Sequence, residues 1–354
     1  MAEAATGPAP DRRGSMDAGN GRTKRRIVAA LLATSISSPV QGQSVPLPGN
    51  PGPIGRLNED VAYSLFLLTN GGFTSAGYVD YQDESTTSKI NVYTLPLRLL
   101  LETGLLGPVE LRLTGGYGEA ATTTLQSVTG IAGSPAGALA TERQFIALWD
   151  LRFNIGRPIS PMPDLVLTPM VGIGTQHWSG KLDRSPLGGS PVPAERVNFW
   201  TDTLLTGAAA IIEYRYRWGT LNIRPGASVS YINLSSFDGR ATQMLQPPAE
   251  PTRGKASVTA DSTVLRAGLR ADGPLGYRLG VTELRWQSFV VGNYSTADIG
   301  LFPWSIELGI AVGAELGALG RSLVGFDPGE FYVGASYITG ENFSGVRANF
   351  GFRF

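Results

Sequence analysis

The chain contains a single histidine, His177, and it stands two residues before Ser179 in the stretch GTQHWSGK. In an extended segment, a spacing of two puts both side chains on one face. A His and a Ser on one face are the parts of a nucleophilic site, with imidazole as general base and hydroxyl as nucleophile. Such a pair needs a third group to fix the tautomer of the ring. The next alternating segment carries Asn198, Trp200 and Asp202 on one face, so Asn198 or Asp202 is the candidate. The same residues also have a reading without chemistry. A His beside a Trp is what a water–apolar boundary collects, because both rings are amphipathic. The chain has no Cys, which excludes a disulfide framework and a thiolate metal site. It shows no dinucleotide glycine pattern, P-loop or metal-ligand cluster, so neither a metal nor a cofactor is expected.

A second group of residues is charged and sits inside strand-like stretches. It comprises Arg98, Glu110, Arg112, Asp150, Arg152, Arg224, Arg266, Arg270, Glu307, Glu315, Arg347 and Arg353. In a soluble sandwich core these would be buried without solvent. In a closed sheet they would line a polar lumen, either as a selective pore or as an ion-pair network filling a narrow barrel. Both signs occur, and a selective pore would show one dominant sign, so the balance favours the network.

The elements that carry these residues are strands. From Thr74 onward the apolar period is two. Leu165, Leu167, Pro169, Val171 and Ile173 share one face, against Thr168, Met170, Gly172 and Gly174 on the other. Phe145, Trp149, Leu151, Phe153 and Ile155 oppose Gln144, Asp150, Arg152 and Asn154. Trp304, Ile306, Leu308, Ile310 and Val312 oppose Ser305, Glu307 and Glu315. Twelve such strands are predicted, near 74–82, 88–103, 109–120, 142–155, 165–174, 199–216, 221–231, 257–270, 277–292, 304–315, 330–339 and 345–354. Sandwich strands average about five or six residues. Many of these reach about ten or more, as a tilted strand crossing a bilayer requires.

Connections give an independent check. One set is longer and polar: DESTTS, about 120–141, about 181–197, about 238–256, NYSTAD and TGENFSG. The other is mostly tight: TGLLGP, GRPISPMPD, YRWGT and ADGPLG, with 317–329 as the exception. That asymmetry is the pattern of an outer-membrane barrel, and in lipid only a closed sheet satisfies every backbone group.

Ahead of the strands, Arg22 to Arg26 form a basic cluster, Ile27 to about Ile36 a short apolar run, and Val40 and Gly42 a small-residue site. This reads as a signal peptide within 1–42, with Met16 as a candidate start and the mature chain beginning near Gln43. Residues 43–72 read as a linker followed by a short helix over 58–69, capped by Asn58 and stopped at Asn70-Gly71-Gly72. Residues 73–354 form the barrel. Zero formal net charge with 16 % charged residues gives no reason to expect a nucleic-acid partner. Mean hydropathy is +0.00, which excludes a bundle of membrane helices. Oligomeric state is not readable.

The stretch VRANFGFRF alternates to its end, with Phe350, Phe352 and Phe354 on one face. It resembles the closing strand of the Gram-negative outer-membrane β-barrel superfamily, whose members characteristically end in Phe. The resemblance implies an all-β, closed, antiparallel up-and-down transmembrane barrel of about twelve strands with a short N-terminal helix, located in the cell outer membrane. It also implies contact with membrane lipids and lipopolysaccharide, and recognition of the terminal strand by the barrel-assembly machinery. About twelve strands after a helix is similar to the translocator barrel of autotransporters, and most similar to solitary barrels without a passenger. The expected function is therefore translocator-like or pore-like and non-catalytic. Two alternatives stay open. One is a structural or adhesive surface barrel. The other is a lipid hydrolase, because outer-membrane phospholipase A and the lipid A deacylases resemble the His177, Ser179 arrangement. Those families usually follow the Ser with Asn, whereas Gly180 and Lys181 follow here.

Overall fold

The structure is a computed structural model. It describes residues 75–103, 107–128, 138–187, 194–246, 251–256, 259–279, 282–296, 303–315 and 330–353. The helix expected over 58–69, the signal peptide within 1–42 and the terminal Phe354 lie outside the described residues, as do the side chains of Glu315, Phe352 and Arg353.

Fifteen strands are present among the described residues: β1 (Ser75–Gln82), β2 (Thr86–Thr103), β3 (Gly107–Val128), β4 (Ala138–Gly156), β5 (Ile159–Met162), β6 (Leu165–Pro186), β7 (Ala194–Tyr214), β8 (Tyr216–Trp218), β9 (Leu221–Gln246), β10 (Thr252–Gly254), β11 (Thr259–Leu279), β12 (Thr282–Ser295), β13 (Trp304–Glu315), β14 (Glu330–Gly340) and β15 (Phe343–Arg353). Twelve are staves. The short β5, β8 and β10 only extend hairpins beside β6 and β9. Each stave pairs antiparallel with the next, and β15 pairs with β1 from Ser75↔Asn349 to Tyr81↔Phe343. The sheet is therefore closed, and along the length of β1 closure satisfies the backbone groups that an open edge would carry into lipid.

Alternation decides which way each side chain points. Trp149, Leu151, Phe153 and Ile155 are exposed on the outer wall, and Leu148, Asp150 and Arg152 are buried inside. The same split runs through β6, where Val171 and Ile173 face out and Met170 and Gly174 face in. Tyr93, Tyr117 and Trp149 sit side by side around the outer wall, with ring centroids 6.0 and 4.5 Å apart. His177 and Trp200 continue this row. Tyr214, Tyr216, Trp218 and Tyr277 stand exposed at the opposite end. On β6 twelve residues separate His177 from Leu165. At about 3.3 Å per residue and a tilt of about 40°, that is about 30 Å, the thickness of a bilayer core. Two aromatic girdles around an apolar outer band mark a surface built for lipid.

The structure corrects three expectations. The stretches near 120–141, 181–197 and 238–256 are not long loops. β3 runs on to Val128, β6 to Pro186, β7 starts at Ala194 and β9 reaches Gln246. Beyond the girdle no lipid enforces an apolar outer face, so the alternation fades while the ladder continues. ADGPLG is not a turn either. β11 passes through it and shifts register between Pro274 and Arg278, with Gly276 at φ 76°. Glycine at positive φ inside a ladder is the mark of a bulge as much as of a turn.

The third correction concerns the inner face, which was expected to be a polar lining of charged and small residues. Val79, Ile90, Ile146, Leu148, Trp178 and Leu234 belong to one buried cluster of inward apolar side chains, which further residues carry around ten staves. The cluster lies toward the end where the extended hairpins project. Its members have almost no exposure, so among the described residues inward apolar side chains pack together at that level.

Candidate functional site

The outward site is partly assembled. β6 and β7 pair so that His177 faces Asp202, Ser179 faces Trp200, and Lys181 faces Asn198. His177 Nδ1 lies 2.7 Å from Asp202 Oδ1, a hydrogen bond that fixes the ring. Trp200 stacks on the imidazole with centroids 6.2 Å apart. Asp202 is thus the residue placed to orient His177, and Asn198 is two pairs away. Among the described residues, no hydrogen bond joins Ser179 to His177. A β-bulge lies beside this site, where β9 shifts register against Asp202 and Thr203 and leaves Phe237 exposed. Bulges of this kind re-aim side chains.

The lumen carries the larger constellation, in layers. Toward the extended hairpins, Arg184 donates to Glu195 at 2.9 Å and to Glu142 at 3.1 Å, and Gln243 donates to Glu195 at 2.6 Å. Glu142 is seven residues beyond Trp149, outside the apolar band. Burial pushes its carboxyl above the usual range, against the opposing pull of Arg184, and the neighbouring Glu195 adds to the rise.

Below the apolar cluster the staves bring charges together. Glu110 has no exposure and accepts from Arg98 at 2.8 Å and Arg112 at 2.5 Å. Asp150 accepts from Arg152 and, at 3.2 Å, from Gln176. Glu307 accepts from Ser336 at 2.6 Å and Arg347 at 3.4 Å. Arg266 donates to Asn293 at 2.8 Å. Gly77 makes room for one of these side chains, because a Cβ there would collide with Arg347 Cγ. Near the opposite end, Arg224 and Arg270 face each other across β9 and β11, and Asp272 lies between Arg224 and Arg285 at 3.9 and 3.1 Å.

No family model matches the chain, and no curated protein matches it in sequence. Among solved structures it is similar to the translocator domain of the autotransporter NalP from Neisseria meningitidis. That likeness has 15 % identity and a TM-score of 0.47, and covers 83 % of this chain and 93 % of that one. It is also similar to the transport unit of the autotransporter AIDA-I from Escherichia coli, with 12 % identity, TM-score 0.48, and 84 % and 99 % covered. A third likeness is to the β domain of the Bordetella autotransporter BrkA, with 14 % identity, TM-score 0.44, and 79 % and 97 % covered. The fold described above rests on this chain's own strand pairing.

Of the charges expected inside, Arg98, Glu110, Arg112, Asp150, Arg152, Arg224, Arg266, Arg270, Glu307 and Arg347 all project inward. Sequence reading missed Arg184, Glu195, Asp272 and Arg285 as lumen residues. Asp272 was hidden because 271–276 reads as a turn. Arg184 and Glu195 were hidden because their strands were ended at the girdle. The shared parity of Arg184 and Leu182 with Gln176 was the available signal.

Proposed function

We propose that this chain is an outer-membrane β-barrel of the translocator-like or pore-like kind, without catalysis in its wall. One observation carries the reading: twelve staves close on themselves, with a lipid-facing apolar band outside and a charged lumen inside. Each charge inside the wall is costly unless satisfied, and here guanidinium and carboxylate groups pair along the lumen that the reading requires. The apolar cluster narrows the lumen, and the segment 43–72 suits the role of a plug against it. Its Val61, Leu65 and Leu68 are apolar, as is the inner face at the cluster's level. Residues 1–42 are assigned to export and the mature barrel to 73–354.

The test is electrical. Purified protein with heat-modifiable mobility on gels is fused into a planar bilayer. Rare, small openings are expected, enlarged on removal of residues 43–72. Large steady conductance in the intact protein would rule out a plugged lumen, and absence of heat-modifiable mobility would rule out the barrel.

A second reading is kept because of one observation, the hydrogen bond from His177 to Asp202. It is a lipid hydrolase with Ser179 as nucleophile, His177 as base and Asp202 orienting the ring. The same protein is incubated with phospholipid and with lipopolysaccharide, with and without Ca²⁺, beside Ser179→Ala and His177→Ala. No acyl release is expected. Release abolished by both substitutions would promote the hydrolase.

A further inference from the structure

A cavity of about 310 Å³ lies in the lumen directly under the apolar cluster. Leu205, Ile232, Val264 and Ile338 belong to both, so they form its ceiling. Gly172, Gly207, Ala209, Ser228 and Ser230 line part of its wall, and their small side chains leave the space open. Into that space project five guanidinium groups from five staves: Arg98 (β2), Arg112 (β3), Arg152 (β4), Arg266 (β11) and Arg347 (β15). Among the described residues one carboxylate lines it, Glu307.

The balance of sign expected for the lumen does not hold here. Glu110 serves Arg98 and Arg112, Asp150 serves Arg152, and Glu307 serves Arg347. Five guanidiniums against three carboxylates leave two positive charges among the described residues. Arg266 is the focus of that excess. Among the described residues its charged neighbours are Arg112, Arg152 and Arg347, with Glu307 opposing them. Its hydrogen bond goes to the neutral amide of Asn293, 2.8 Å away.

We infer that this cavity binds a small, multiply charged oxyanion of the phosphate class. Like charges gathered in a low-dielectric space repel strongly, and an anion among them relieves that repulsion. Guanidinium groups present planar forks that match phosphate oxygens two at a time, which a spherical halide cannot exploit. Ser228, Ser230, Thr114 and Asn154 add neutral donors around the same space. The volume sits at the small end of ligand pockets, so the ligand is of the size of pyrophosphate or a small organic phosphate. The inference deepens the barrel reading and rests on it.

The probe is inorganic pyrophosphate, titrated calorimetrically into the full-length protein in detergent, with folding of every variant checked by heat-modifiable mobility. One saturable site is expected, weakened by added salt. Arg266→Gln should bind about tenfold more weakly, the loss of one charge-assisted contact. Glu307→Gln removes the lining carboxylate and should bind more tightly, so the pair moves in opposite directions. Arg196→Gln, on the outer wall, should bind as the parent does. Equal affinity in the parent and Arg266→Gln would overturn the inference, as would heat-modifiable protein that binds nothing. Binding that emerges only after residues 43–72 are removed would also overturn it, assigning the cavity to Glu59 and Asp60 of that segment. Should Arg266→Gln not fold, an unchanged or weaker affinity in Glu307→Gln overturns it alone. Loss of the heat-modifiable band in the parent sinks the barrel itself, which separates the two failures.

Discussion

Trp178 and Trp149 face opposite ways from neighbouring staves, and substituting each by Ala tests the dry layer. Trp178 is 1 % exposed inside the lumen, and its indole N–H donates to Thr203 Oγ1 at 3.3 Å. Trp149 is 60 % exposed on the outer wall and touches Tyr117. Removing a fully buried Trp costs about 3–5 kcal/mol, and the lost hydrogen bond adds about 1 kcal/mol. Trp178→Ala should therefore lose about 4 kcal/mol or more, about a thousandfold in the ratio of folded to unfolded protein. Trp149→Ala forfeits an aromatic contact of about 0.5–1.5 kcal/mol while lipid fills its place. The void left by Trp178 exceeds the roughly 30 Å³ share of a water molecule, and Thr203 and Gln176 supply polar partners for one. Water can then enter the layer, and Trp178→Ala should also open more often in a planar bilayer. Stability is read by urea titration of protein in vesicles, scored by gel mobility. Equal losses in the two variants, with conductance unchanged in both, would refute the argument that inward apolar packing seals the lumen.

Three further outcomes are expected. Glu110→Gln should destabilise the barrel by about 2–4 kcal/mol in the same titration, since two charge-assisted contacts weaken and Arg98 is half exposed and screened; a loss near zero would mean that Glu110 does not hold Arg98 and Arg112. The raised carboxyl of Glu142 contributes stability that is fully present below its unfolded value and is lost as pH rises through its folded value. Relative to the parent, Glu142→Gln, which mimics the protonated form, should therefore gain more thermal stability in detergent at neutral pH than in acid; an equal change at both pH values would assign the effect elsewhere. Deleting Phe354 should lower the folded yield in outer-membrane fractions, because β15 closes the ring against β1, and an undiminished yield would argue against Phe350, Phe352 and Phe354 acting together as an assembly signal.

The sequence by itself determined the faces, the number of staves and the closure. A strand has a period of two, and a bilayer tolerates only apolar side chains on the outside of the wall, so lipid writes the alternation into every stave that crosses it. Trp149, Ile173 and Ile310 could be assigned outward, and Asp150, Arg224 and Glu307 inward, from spacing alone. Where lipid is absent the same logic fails, which is why the ends of β3, β6 and β9 were placed too early and Arg184 and Glu195 were overlooked. Only the tertiary structure decided what the inward residues do together. Alternation says that Arg112, Arg152, Arg266 and Arg347 point inward, but not at what height each arrives. Height depends on the register accumulated from stave to stave around the ring, bulges included, and no local stretch of chain contains that sum. Closure sets it, placing side chains from β3, β4, β11 and β15 around one cavity beneath one apolar ceiling.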